Sequence, residues 1–281
     1  MQVPIPKNYS VVKTLGAGSQ GKVVLISHNT TKRLCCLKFT KLVDTRATKC
    51  AMAEMDLIRK LDHPNIVKCV AAFPYKEYAL IQMEYASGGD LHSFKKGKQF
   101  PEADVLNILG QLALGIQYLY RNHVLHRDIK PKNILLVQYK DCMIFKLADF
   151  GLSKELAFTD DKAKTMLGTP YYMSPECFQG IPYTIKSDIY SLGVILYELL
   201  QSEYPFSGNS IDEQRILCIT GKYHLITTNY SEQLKQLCYT MIAKQSSDRP
   251  SIEQIVQSDV LKDTIQQIKA QYQKMGYDNV E

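Results

Sequence analysis

The chain has 281 residues, 45% of them hydrophobic and 22% charged, enough for one large domain or two lobes with an ample core. A net charge of +6 without a run of about five or six basic residues argues against a nucleic-acid-binding tail and suits an anionic ligand or a mildly acidic partner. The longest apolar stretch, YSLGVILYELL at 190–200, is too short to span a bilayer, so no membrane role is expected.

The opening MQVPIPKNYS has no apolar run, and no secretory signal is expected. Residues 9–39 alternate in strand fashion around LGAGSQGKVVLI and RLCCLKF, with a polar turn at HNTTK. Over 45–61 the period changes, and Ala51, Met55, Ile58 and Leu61 recur at helical spacing. Strand-like IVKCVAAF and YALIQMEY follow, so residues 1–85 read as a small sheet with one helix. SGGD at 87–90 is a turn and a lobe boundary. Beyond it helices dominate: EADVLNILGQLALGIQYLY, then SDIYSLGVILYELL with Ser187 or Asp188 as N-cap, then SEQLKQLCYTMI and IEQIVQSDVL. DTIQQIKAQYQK closes the chain as a polar, frayed helix. Residues 86–262 thus form a second lobe and 263–281 a helical tail. Eight cysteines, at 35, 36, 50, 69, 142, 177, 218 and 238, include no CxxC pair, and the adjacent Cys35 and Cys36 point to opposite faces of a strand. They read as free thiols in the cytoplasm or nucleus, which makes the sequons at Asn8, Asn29 and Asn229 chance matches.

VLHRDIKPKNILL, residues 124–136, crowds ionisable groups between apolar flanks that read as buried strands. Such crowding suits a highly charged ligand, because a core strand tolerates unpaired charge poorly. GAGSQG at 16–21 alone is weak evidence, since the same spacing marks dinucleotide-binding folds. Here the glycines run directly into strand KVVLI. A strand–glycine-loop–strand lays its backbone over phosphates and lets Val23 cap a flat base. Lys38, in apolar LCCLKF, needs an anionic partner, and Glu54 on the following helix supplies one. Asp149 in KLADFGLS suits Mg2+, a hard ion that takes oxygen ligands, with the Asn133 amide oxygen as a second ligand. Asp128 remains to accept a hydroxyl proton and Lys130 to neutralise a transferring phosphoryl group.

With GAGSQGKV, CLK, Glu54, HRDIKPKN, DFG and SPE in this order, the chain resembles a eukaryotic protein kinase over roughly residues 9–260. The resemblance implies an α+β, two-lobed fold: an antiparallel sheet with one helix, then a mostly helical lobe, with ATP in the cleft. It implies Gly16, Gly18 and Gly21 over the phosphates and Lys38–Glu54 as the activating pair. Asp128 would be the catalytic base, Lys130 its phosphate-neutralising neighbour, and Asn133 and Asp149 the ligands of Mg2+, with Mn2+ as an alternative ion. At the ATP site it further implies Leu15, Val23, Cys36 and Leu135, Met83 as gatekeeper, Glu84 and Ala86 at the hinge, and Asp90 as a ribose contact. Glu176 would pair with Arg249, and Asp188 would brace the catalytic loop.

KPKN and Thr169 in GTPYYMSPE resemble serine/threonine kinases, and GTPYYMSPE with MEYASGGDL and LDHPNIV resembles the NIMA-related (Nek) group. Protein substrates bearing serine or threonine are therefore expected, in the cytoplasm, at the cytoskeleton or in the nucleus. Thr165 reads as a regulatory phosphorylation site, filled by an upstream kinase or by trans-autophosphorylation. Its phosphate, of charge about −2, would pair with Arg127 and Lys154. Three departures remove no catalytic group: Cys36 and Ser174 stand where alanine is usual, and Tyr190 where tryptophan is usual. On this reading, a coiled-coil tail like that of many Nek relatives is not expected after the last helix. A nucleotide-binding scaffold without transferase activity is the alternative. The loss of Lys38, Asp128 or Asp149 would favour it, and all three are present.

Overall fold

Alternating apolar positions draw the N-terminal stretch into an antiparallel meander of β1 Tyr9–Gly18, β2 Gly21–His28 and β3 Leu34–Lys41. The computed structural model describes residues 5–18, 21–140, 142–149 and 171–277. With β4 Cys69–Tyr75 and β5 Tyr78–Glu84 the sheet order is β1-β2-β3-β5-β4. Pro74 is tolerated because β4 is an edge strand. The period of two splits β3 between faces. Cys35, Leu37 and Phe39 pack in an outer cluster with Val24, Ile26 and Leu80, whereas Cys36 faces the main core with Met55 of α1 Thr45–Ile58. The seven described cysteines are free thiols.

The second lobe holds the short α2 Leu91–Lys95, the long α3 Glu102–Arg121, and the hairpin β6 Ile134–Tyr139 with β7 Cys142–Leu147. After α4 Pro175–Phe178 comes α5 Ile185–Gln201, buried from Ser187 to Leu200 on every face, as suits the central helix of a large lobe. A Cβ at Gly193 would lie 2.7 Å from the Cβ of Met241, so only glycine lets α7 Glu232–Met241 approach α5 this closely. α6 Ile211–Thr220, α8 Ile252–Val256 and α9 Lys262–Lys274 complete the lobe. The fold is the expected two-lobed α+β arrangement, and none of the described helices is long and apolar enough to cross a membrane.

Several local expectations change. Thr184, not Ser187 or Asp188, caps α5; Ser187 is its capping-box partner, accepting the Thr184 N–H at 3.3 Å. Val124–His126 form no strand, because Val124 N–H turns back to Leu119 O at 2.9 Å to end α3. α9 is polar yet docked: Ile265, Ile268 and Tyr272 are buried against the core, each burial contributing ~1.5–3 kcal/mol against fraying. The Tyr272 hydroxyl donates to Gln111 Oε1 at 3.0 Å and lies 2.6 Å from Asn65 Nδ2.

Arg249 organises this lobe. Its guanidinium is fully buried, and its N–H groups reach Ala243 O, Lys186 O, Lys244 O and both oxygens of Glu176, the last two at 2.7 and 2.8 Å. The Tyr190 ring covers its face at 4.8 Å. Burial alone would raise the Glu176 carboxyl, but Arg249 and the Ser187 hydroxyl outweigh it and hold it below the usual carboxylate range.

Two predictions follow from this packing. Arg249→Met should cost ~3–5 kcal/mol in urea unfolding by stranding a buried carboxylate, and the double variant Glu176→Gln/Arg249→Met should cost less. A loss below ~1 kcal/mol in the single variant would contradict this account. The second concerns His63, whose Nδ1 accepts the Asn65 N–H at 3.0 Å and whose buried Nε2 has no hydrogen-bond partner among the described residues. Burial first, and the nearby Lys146 ammonium second, push its pKa down to about 3. An unfolded histidine titrates near ~6.5, so between those values the unfolded chain binds the extra proton and stability falls as pH drops, by ~1.4 kcal/mol per pH unit. His63→Asn, whose Oδ1 replaces Nδ1 as acceptor, should flatten the stability curve below pH ~6 by one proton; an unchanged slope refutes the assignment.

Candidate active site

Three elements converge on one ammonium. Lys38, on β3, is 8% exposed, and its Nζ lies 2.8 Å from Glu54 Oε1 on α1 and 3.5 Å from Asp149 Oδ1 beyond β7. Burial would lower its pKa, but Glu54 and then Asp149 outweigh that and set it above the usual lysine value, so the group stays charged. Glu54 reaches it because it shares a helix face with Ala51, Met55 and Ile58, all buried.

The loop before β6 builds a second cluster. Lys130 Nζ contacts both Asp128 oxygens, at 3.1 and 2.9 Å, and Asn133 Nδ2 donates to Asp128 O and Oδ2, both at 2.9 Å. The Asp128 carboxylate is thereby oriented from two sides. Arg127 has a φ of +66° and Asp149 of +57°, conformations that cost a non-glycine residue ~1–3 kcal/mol and persist only when neighbours over-determine them. For Arg127 the constraint is Asp188 on α5, which accepts the peptide N–H groups of His126 and Arg127 at 2.9 and 3.0 Å and the Tyr183 hydroxyl at 2.6 Å. Burial raises the Asp188 carboxyl, and these donors oppose that shift.

In the sheet that carries Lys38, β1 and β2 close with Gly18 opposite Gly21. Gly21 has φ +124°, and a Cβ there would lie 2.4 Å from Phe39 O, so only glycine fits; beside Gly16 there is open space. Leu15 is exposed, Val23 pairs with Lys38 in register, and Cys36 lies between Leu25 and Met83. Burial, then Cys35 and Glu84, push the Cys36 thiol up to about 11, which keeps it protonated, an apolar wall and not a nucleophile. Ala86 is buried, two residues past the end of β5. Leu135 forms an isolated bridge with Asp90, whose carboxylate caps α2 by accepting Ser93 N–H at 2.7 Å. The Glu84 side chain accepts Lys68 N–H at 2.7 Å and pairs with Lys146 on β7, leaving only its backbone for the cleft.

Thr165, Thr169 and Lys154 lie outside the described residues. Reading the sequence missed two partnerships. Glu198, buried on α5, accepts the Tyr172 hydroxyl at 2.7 Å and pairs with Lys95 of α2; its place inside YSLGVILYELL was the available signal. Lys146, a charge in the apolar run MIFKLA, carried the same signal as Lys38.

The donor set fits a magnesium nucleotide. Asp149 and Asn133 offer one carboxylate and one amide oxygen, both hard donors. That matches Mg2+, which binds through one or two protein groups with phosphate and water completing its shell. A protein kinase domain model matches residues 9–261. The chain is 38% identical to serine/threonine-protein kinase Nek3 of Mus musculus, over 87% of this chain and 48% of that protein. It is 35% identical to Nek5 of Homo sapiens (92% and 37%) and 35% identical to Nek11 of Homo sapiens (96% and 43%). It thus spans about half or less of the length of these curated relatives. The chain belongs to the protein kinase domain family, and Nek serine/threonine-protein kinases are among its relatives.

Proposed function

We propose that this domain transfers the γ-phosphoryl group of ATP to serine and threonine hydroxyls of protein substrates. The observation that carries the reading is the Asp128 carboxylate, held by Lys130 and Asn133, together with the Lys38–Glu54–Asp149 cluster. When bound, Mg-ATP supplies the phosphoryl group, and its metal neutralises charge on the phosphate oxygens. Lys38, kept charged by Glu54, binds the α- and β-phosphates, and the backbone at Gly16, Gly18 and Gly21 covers them. Asn133 and Asp149 hold the ion, Mg2+ or Mn2+. Leu15, Val23, Cys36, Met83 and Leu135 enclose the base, the Glu84 and Ala86 peptides bind its edge, and Asp90 meets the ribose. Asp128 accepts the hydroxyl proton, and Lys130 offsets the charge of the group in transfer. Most of the rate enhancement on this reading comes from positioning and charge.

The same reading makes the domain cytoplasmic and regulated through Thr165, by an upstream kinase or by a second copy of the chain. A Thr165 phosphate of about −2 charge would pair with Arg127 and Lys154, with Thr169 near the acceptor hydroxyl.

The test is transfer of labelled phosphate from Mg-ATP to casein and to the protein itself, with phosphosites mapped from the same sample. Asp128→Asn should lower kcat by ~10²–10⁴-fold, the usual contribution of a positioned base. Lys38→Met should lower kcat/KM by about 100- to 1,000-fold through lost charge stabilisation. Wild type no faster than both variants, even after treatment with an upstream kinase, would refute phosphoryl transfer and leave a nucleotide-binding scaffold. Thr165 should be phosphorylated in active protein. A bare Thr165 in active enzyme, with Thr165→Ala equally fast, removes the regulatory part alone.

A further inference from the structure

One buried ion pair has no part in the chemistry above. Lys146 lies on β7, three residues before Asp149, with a side chain only 6% exposed. An ammonium at that depth requires a counter-ion, and Glu84 supplies it at 2.8 Å. Glu84 ends β5, so the pair joins the five-stranded sheet of one lobe to the hairpin of the other. Its carboxylate is fixed a second time: Glu84 Oε1 accepts the Lys68 N–H at 2.7 Å, while its own N–H donates to Lys68 O at 3.0 Å. Because side chains alternate along a strand, Glu84 points away from the face on which Met83 meets Cys36. The clamp therefore sits behind the strand end, and the cleft lies in front of it.

We propose that Lys146 is a positioning residue for nucleotide binding: by clamping Glu84 from the opposite lobe, it fixes the strand end that presents the Glu84 and Ala86 peptides to the base. The inference rests on the nucleotide-binding part of the reading above. Its physical basis is a short chain of stiff connections. The Ala86 N–H is two residues from the clamped side chain, and Asp149 is three residues from Lys146, two past the end of β7. Both the base-binding edge and the proposed metal ligand are thus referred to β7. The Lys146 ammonium is buried and the Glu84 carboxylate partly so, so their attraction is screened less than that of a surface pair, and the fork from Lys68 removes the rotation that a single contact would leave.

The test compares wild type with Lys146→Met, Lys146→Arg and the double variant Glu84→Gln/Lys146→Met. It measures the Kd for Mg-ATP by calorimetry, amide exchange at 84–89 without nucleotide, and kcat at saturating ATP. Lys146→Met and the double variant should weaken Mg-ATP binding by about fivefold or more, the scale of a direct coupling between neighbouring groups. Exchange at 84–89 should accelerate relative to the rest of the protein, kcat should change less than Kd, and Lys146→Arg should recover part of the loss. Should Lys146→Met fail to fold, the double variant carries the test, since it leaves no buried charge uncompensated. An unchanged or tighter Kd in either folded variant overturns the proposal, as does a wild type that binds no Mg-ATP. A wild type that binds Mg-ATP without transferring phosphate refutes phosphoryl transfer and leaves the Kd comparison fully readable.

Discussion

The arrangement of the larger lobe depends on one buried guanidinium. Arg249 arrives from a loop after α7, and its partners are the carboxylate of Glu176 and backbone oxygens at Ala243, Lys244 and Lys186. A charge with this little exposure is tolerable only when every donor is used, and here every donor is used. The geometry of a planar fork then leaves little choice about where Glu176 sits. Through Glu176 the constraint passes to Ser187, whose hydroxyl donates to the same carboxylate at 2.6 Å, and so to the first turn of α5. It passes also to the segment before α4, where Ser191 holds Tyr172 O at 2.7 Å.

α5 carries this order to the site. One turn of that helix holds both Ser187 and Asp188, so the residue that faces Glu176 is adjacent to the one that braces the loop around Asp128. The strained backbone at Arg127 is affordable because Asp188 accepts two consecutive peptide N–H groups there. Buried cations in both lobes repeat the pairing seen at Arg249. Lys38 and Lys146 are buried cations, each held by a glutamate from another element, and each pair crosses a boundary that apolar contacts alone would leave free to slide.

Much of this was legible in the sequence for a single reason: a charge within an apolar run must be paired. That argument located Lys38 and its partner Glu54, and the period of two separated Cys35 from Cys36 on β3. Applied to MIFKLA and to YSLGVILYELL, it would also have singled out Lys146 and Glu198. Helices α2 and α6 were missed because neither carries an apolar stripe: α2 buries only Leu91, and α6 buries Gln214 and Cys218 while Ile211 and Ile216 stay exposed. α9 read as frayed because its apolar stripe is only Ile265, Ile268 and Tyr272 within a polar sequence.

By itself the sequence determined which residues could not stand alone: the buried lysines, the glycine at 21, the carboxylates set among aliphatic side chains. Such requirements are local, fixed by desolvation and by backbone sterics at single positions. Only the tertiary structure decided which partner each would take. Asp188 could have capped its own helix, but Thr184 does so, and Asp188 turns to a loop 61 residues earlier. Asn65 meets Tyr272 across 207 residues of chain. Such pairings carry no periodic trace, because the partner is chosen by how whole helices and sheets pack around a shared core, and the sequence near either residue holds no record of that choice.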